Sequence, residues 1–497
     1  MIRLLDQKFS VAGATFGVHM DSTVEDGAPK KRLPFELEVG PQLFSALCAA
    51  GTHSQSSIYE ILESKVERFL AQNPGCGKQE LASYLEGYAS KVFDNTLAHG
   101  HIDVADMGSY LVVGENVPRL CTLFWCSPHH LNHEQQSLRY TQANSFHLPR
   151  TVRSSRFMKR AEEVLLNCYD AYREFISQGV LPEDARSVLP LAVNSNITTI
   201  GGGREYTYVS ALIRSRSLLL PSVVRDSVEQ VSKALSEISP EVFKDRGPNY
   251  ELRRYFPGPQ LFARENRFVR DAVGKHGANK VTLLSFSDPG LCLDRETVRR
   301  KLEEQDPSFL VNLLHIRAVF LIRFSLEAAH QAIRHRTWNH DFEPIYVAAD
   351  RFEYMTPPSI EQNGLKEAYD SAINRLYTLY EDVKNELGPE EAVIFLPNSH
   401  LIYDVVEIDG WNMVGNLPLR TCEKAQWEIR GVAKAMVSKI AWGSPASGFR
   451  GDKTLSYYAL PPCQTFNVCF EDNTRDVCPI YRHKYLKAEP AQPKLIS

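Results

Sequence analysis

Three consecutive residues, Arg334-His335-Arg336, offer the sharpest chemistry in this 497-residue chain. Guanidinium forks grip phosphate or carboxylate at two points, and an imidazole beside them can serve a second acceptor. The same run also reads as a solvated helix end whose cations offset the C-terminal dipole. Other constellations are weaker. Cys463, Cys469, Cys478 and His483 stand further apart than the short cysteine pairs that zinc prefers, so they read first as ordinary thiols. His129, His130 and His133 could bind a metal or simply pack in a loop. Gly201-Gly202-Gly203, ahead of Arg204, could approach a phosphate or form a loop or bulge.

The elements that must position the Arg334 run are legible. From His315 to Phe324 apolar residues alternate in part (Ile316, Ala318, Phe320, Ile322), which predicts a strand. Ser325 can cap the helix that follows, and Glu327 falls in its first turn, where a carboxylate suits the dipole. That helix should end in Arg334-His335-Arg336. Further on, Ala425, Ile429, Val432, Met436 and Ile440 recur at helical spacing, with Thr421 as an N-cap. In the first half Val224, Val228, Val231 and Leu235 make a matching stripe, opened by Pro221.

The two stripes belong to a wider self-similarity. LCTLFWCSPHHLNHEQQSLRY, ending at Tyr140, resembles EAAHQAIRHRTWNHDFEPIYV, ending at Val347, in layout. Those ends lie 207 residues apart, and so do Leu189-Pro190 and Leu396-Pro397. A register held over about 50 residues favours a duplicated unit. Gly/Pro-rich DRGPNYELRRYFPGPQ, near 245–260, is the natural seam. We expect α+β in both halves, with repeats at 1–250 and 251–497.

Composition narrows the function. Lys and Arg number 56 against 60 Asp and Glu, a net charge of −4, which argues against a general nucleic-acid coat. Any phosphate must then be held by local arginines. No run of 18 uncharged apolar residues predicts a membrane span. Asp6 and Lys8 interrupt the apolar stretch a signal peptide needs, and ten scattered cysteines fit a reduced, cytoplasmic chain.

The motif set resembles the flavin-dependent thymidylate synthase family. The residues that carry the resemblance are Gln331-x-x-Arg334-His335-Arg336, the late stretch Arg420-Thr-Cys-Glu-Lys-Ala425-Gln426-Trp427-Glu428-Ile429, His99-Gly100-His101, and Ser137-Leu138-Arg139-Tyr140 as the family's S-x-R-Y. The departures are complementary. Where the second half should show S-x-R-Y it reads Pro344-Ile345-Tyr346-Val347, and where the first should show R-H-R it reads Ser127-Pro128-His129. The family's arginine before the strand proline resembles Arg186, with Val393 opposite it, and its flavin-phosphate arginine resembles Arg204, with Trp411 opposite.

In the family one subunit supplies R-H-R, its glutamine and the late arginine, while a neighbour supplies S-x-R-Y and the arginine before the proline. Here the second half keeps the first set (Gln331, Arg334, His335, Arg336, Arg420) and the first half keeps the second (Ser137, Arg139, Arg186). The resemblance therefore implies two tandem copies forming an intrachain pseudo-dimer, with one composite site kept and its pseudo-symmetric partner decayed. Two chains would rebuild a tetramer-like assembly as a homodimer.

The implied reaction is reductive methylation of dUMP at C5 to dTMP, with FAD as cofactor and methylenetetrahydrofolate and NADPH as co-substrates. Ser137, Arg139 and Arg186 would cradle the phosphate dianion, with Gln135 and Gln331 as further nucleotide contacts. Arg334 and Arg420 would face the pyrimidine carbonyls. His99, His101, Arg204, Arg334, His335 and Arg336 would hold the flavin. No metal is implied. Gln135 replaces an acidic residue of the family, and Asp103 and Met107 also depart from it. Two alternatives therefore stay open: a flavoenzyme acting on another pyrimidine nucleotide or carbon donor, and an inactive nucleotide-binding or scaffold protein.

Overall fold

A computed structural model describes residues 2–3, 39–139, 141–143, 145–244, 255–291, 294–469 and 478. Tyr140, most of the seam and His483 lie outside the described residues. The strands along the chain are β1 (Ile2–Arg3), β2 (Ser109–Pro118), β3 (Asn132–Gln135), β4 (Asn194–Gly202), β5 (Val281–Ser287), β6 (Arg317–Ser325), β7 (Asn339–Phe342) and β8 (Leu401–Asp409). The helices used below are α1 (Pro41–Gly51), α2 (Ile58–Gln72), α3 (Lys78–Thr96), α4 (Arg119–Trp125), α5 (Met158–Ser177), α6 (Gly203–Leu212), α7 (Ser222–Ile238), α8 (Leu326–Ala332), α9 (Lys366–Leu387) and α10 (Trp427–Trp442). The chain divides into two compact units. The first holds the chain up to Ser137, Asn194–Arg216 and Ser222–Pro257, and the second holds Leu138–Val193, Ser217–Pro221 and the chain from Gly258.

In the first unit an antiparallel sheet runs β1-β2-β4-β3. Helices α1 to α3 bury Leu43, Leu47, Leu81, Leu85 and Phe93 in a common core. A capping box starts α2: the Ser57 hydroxyl accepts from Glu60 N, and the Glu60 carboxylate accepts from Ser57 N at 2.7 Å. Helix α7 fulfils the valine stripe, with Val224, Val228, Val231 and Leu235 all buried. The glycine triplet closes β4 and opens α6. A Cβ at Gly201 would stand 2.3 Å from Leu131, and one at Gly203 would stand 2.9 Å from the Ala105 carbonyl, so these glycines serve close packing.

In the second unit an antiparallel sheet has the corresponding order β5-β6-β8-β7. The predicted strand is β6, paired along its length with β8. β3 begins at 132 and β7 at 339, β4 at 194 and β8 at 401; both pairs are 207 apart, the interval found in the sequence. Helix α5 packs on α9 with Tyr172, Phe175, Leu376 and Tyr380 buried, and the Phe175 and Tyr369 rings lie 6.1 Å apart. At the two Leu-Pro sites Leu191 N donates to Leu396 O at 2.9 Å, and Asn398 N donates to Leu189 O at 2.8 Å. A shift of 207 turns each of these bonds into the other.

One predicted cap is corrected. Helix α10 starts at Trp427, and its N-cap is Gln426, whose side chain accepts from Glu428 N and Ile429 N. Thr421 instead ends a short helix (Leu417–Thr421), and its hydroxyl donates to the carbonyls of Pro418 and Ala459. Pro418 stands in the first turn of that short helix, which claims the residues ahead of α10.

Candidate anion-binding site

Helix α8 leaves the end of β6 as the sequence predicts. Ser325 caps it, its hydroxyl accepting from Ala328 N at 3.1 Å. The helix stops at Ala332, one turn early, so Arg334, His335 and Arg336 stand in the loop beyond it, the two arginines exposed. Glu428 on α10 anchors the other end: its carboxylate accepts from Ser325 N at 2.8 Å and from the Ser325 hydroxyl at 2.5 Å.

Arg420 comes against this loop. Its Nε donates to His335 Nε2 at 2.5 Å, and its Nη2 lies 3.5 Å from the Gln331 carbonyl. Accepting at Nε2 puts the imidazole proton on Nδ1. Burial, then the Arg420, His340 and Arg334 charges, push His335 down to about 2, so its ring is neutral and stacks on Trp338 at 4.6 Å. Burial, with repulsion from Arg334 and then Arg139, pushes Arg420 down to about 10. Arg139 is held beside them, its Nε donating to Glu183 at 2.6 Å and its Nη2 to the Lys424 carbonyl at 3.2 Å. Three guanidiniums thus crowd one place in the second unit, and among the described residues no carboxylate pairs with Arg334 or Arg420. The buried Gln331 amide nitrogen makes no hydrogen bond among the described residues. Excess positive charge and an orphaned donor are what an absent anionic, carbonyl-bearing ligand would satisfy.

The other predicted residues are placed as follows. Arg186 is buried in the second unit, its Nε and Nη2 donating to Glu327 Oε1 at 2.9 and 2.5 Å. Ser137, Gln135, His99, His101 and Arg204 lie in the first unit. The Gln135 amide donates to Thr122 and Ser195 hydroxyls at 3.0 and 3.3 Å. His99 and His101 are exposed on either side of Gly100, whose φ is 89°. Arg204 reaches Asp106 at 3.5 Å at the start of α6. His129 and His130 pack edge-on against Phe256, and His133 shares a hydrogen bond with Thr199. Among the described residues no three His, Cys, Asp or Glu side chains are grouped to hold a metal.

Sequence reading missed Glu183, Asp184 and the role of Trp427. Trp427 Nε1 donates to Asp184 at 2.8 Å, fixing α10 to the segment before Arg186. The signal was available: acidic pairs Glu183-Asp184 and Glu390-Glu391 recur 207 apart.

Glu428 yields a pH prediction. Complete burial, opposed by the Ser325 bonds, pushes its carboxyl up to about 7. The folded state then binds this proton more tightly than the unfolded chain, so stability from this group falls as pH rises from about 4.5 to 7. Glu428→Gln should remove that slope. The difference in urea-unfolding free energy, variant minus parent, should grow over this window by up to about 3 kcal/mol. A pH-independent difference would contradict this reading.

A family model described as thymidylate synthase complementing protein matches residues 45–217 and 302–446. A flavin-dependent thymidylate synthase from Sulfolobus acidocaldarius is 34% identical over 149 residues, covering 28% of this chain and 54% of that protein. One from Clostridium tetani is 24% identical over 254 residues, covering 45% of this chain and 91% of that protein. The chain spans about half the length of the first curated relatives it matches. Among solved structures, a UMP/dUMP methylase, PolB, from Streptomyces cacaoi bound with 5-Br dUMP covers 41% of this chain and 88% of its own. It is 14% identical, with a TM-score of 0.30.

Proposed function

This chain belongs to the thymidylate synthase complementing protein family, and from that premise we propose that it methylates dUMP at C5 to dTMP as a flavin-dependent enzyme. The carbon donor in this reading is methylenetetrahydrofolate and the reductant NADPH. The repeats at 1–250 and 251–497 form a fused pseudo-dimer, which two chains extend to a homodimer. The observation that carries the reading is the meeting of Arg139, from the first repeat, with Arg334 and Arg420, from the second, the last two without a carboxylate partner among the described residues. The reciprocal Leu191 and Asn398 bonds support the pseudo-dimer.

Each residue has a task that its chemistry suits. Arg139, preset by Glu183, takes the phosphate with Ser137, whose hydroxyl is two residues away in the chain. Arg334 and Arg420 face the pyrimidine carbonyls and stabilise negative charge as it develops on the ring. Gln331 turns its unpaired amide to the same base. Because His335 is neutral, it adds a directional donor at Nδ1 without further crowding the cations.

The flavin dinucleotide, when bound, supplies the hydride. Its proposed holders in the second unit are Arg334, His335 and Arg336, and in the first unit His99, His101 and Arg204. Exposed imidazoles beside left-handed Gly100, and an arginine at the start of a ten-residue helix, fit the anionic pyrophosphate.

The test is turnover. Flavin-loaded protein given dUMP, methylenetetrahydrofolate and NADPH should form dTMP, while UMP and dCMP in the same mixture stay unconverted. Conversion of another nucleotide in place of dUMP, or no product from bound dUMP, would refute the assignment.

A further inference from the structure

One short segment bonds to Arg139 and to two of the helices that flank the other candidate nucleotide ligands. Between Pro182 and Val188, Glu183 accepts from Arg139 at 2.6 Å. Asp184 accepts from Trp427 at 2.8 Å, on the helix that begins seven residues after Arg420, and from Ser359 at 2.5 Å. Arg186 donates twice to Glu327, in the first turn of the helix that ends beside Gln331 and Arg334. Arg186 and Glu327 are 5% and 3% exposed, so this guanidinium already has its counter-charge inside the protein.

The duplication supplies a control. The residues 207 away from Arg186 and Glu327 are Val393 and Leu120, both fully buried. Both repeat-related positions therefore carry apolar residues, and buried ion pairs are often replaceable by apolar residues without loss of stability. The charged pair occurs only with the arginines of the retained site. Stability alone gives no reason for that difference.

We propose that Glu327 is a positioning residue of the nucleotide site. It acts through Arg186, and Pro182–Val188 is the clamp that fixes the spacing of Arg139, Arg334 and Arg420. The inference rests on the functional reading above and changes the task of Arg186 from phosphate ligand to strut.

The experiment is a dUMP titration of flavin-loaded full-length protein, followed by the flavin absorption bands, for the parent and Glu327→Gln. A strut that loses its carboxylate lets the arginines drift, and misplacement weakens dUMP by about 10- to 100-fold. If Arg186 were instead a phosphate ligand restrained by Glu327, the variant would free a cation and bind dUMP more tightly. Tighter or unchanged binding overturns the proposal. The double variant Arg186→Val with Glu327→Leu installs the apolar residues found 207 positions away and covers the case in which Glu327→Gln does not fold. It should keep the parent's melting temperature yet lose a similar factor in dUMP affinity. Parent-like affinity in the double variant also overturns the proposal. A parent protein that binds no dUMP overturns the functional reading, and this inference with it. Parent binding with undiminished variant binding overturns this inference alone.

Discussion

Arg420→Ala is expected to weaken dUMP binding by more than about 100-fold while leaving the empty protein at least as stable as its parent. Arg420 is a half-buried cation, and partial desolvation, then repulsion from Arg334 and Arg139, pushes its guanidinium down to about 10. Removing it relieves that repulsion. In the loaded site it donates charge-assisted hydrogen bonds worth about 1.5–3 kcal/mol each, and two of them account for the factor. The change should also free His335 Nε2 and withdraw a neighbouring positive charge, so the imidazole should move up from about 2 towards its ordinary range. Melting curves without nucleotide, with a dUMP titration, check both halves. A lower melting temperature with unchanged affinity would make Arg420 a structural residue.

Arg186→Ala should act in the opposite manner on stability. It takes the Arg186 counter-charge away from the Glu327 carboxylate in a place only 3% exposed. Breaking a buried ion pair by removing one partner costs about 3–5 kcal/mol, one of the largest effects a single substitution can have here. Urea unfolding at neutral pH should show that loss. A cost below about 1 kcal/mol would mean that Glu327 finds water or another donor once Arg186 is gone.

Much of the scaffold could be read before the structure. The strand into Ser325, the Ser325 cap and the valine stripe of α7 follow from alternation, cap chemistry and helical period. The 207-residue interval reappears as matching strands and as the exchanged Leu191 and Asn398 bonds. The Thr421 cap was misread because Thr is a better N-cap by type than Gln, and the intervening short helix carries no periodic signal. Leu138–Val193 groups with the second unit because α5 packs on α9. Periodicity tells which face of a helix is apolar but not which copy of the repeat it meets.

In the candidate site the arginines were legible and the carboxylates were not. Arg334, Arg139 and Arg420 stand in recognisable motifs, and they meet in space. Glu183 and Asp184 sit in no motif, and Glu327 looked like an ordinary dipole partner in a first turn. Their tasks depend on tertiary partners 44, 243 and 141 residues away, which no local pattern announces. Tyr346, at the position matching Arg139, shows how the other copy changed: its hydroxyl donates to the Leu219 carbonyl.

The central claim is one composite nucleotide site per chain, shared with a flavin. Its most direct test is the end point of a dUMP titration of flavin-loaded protein, read in the visible flavin bands against independently measured chain concentration. The account predicts a spectral shift that saturates at one dUMP per chain. Saturation at two per chain, or dUMP binding that leaves the flavin bands unmoved, would contradict it.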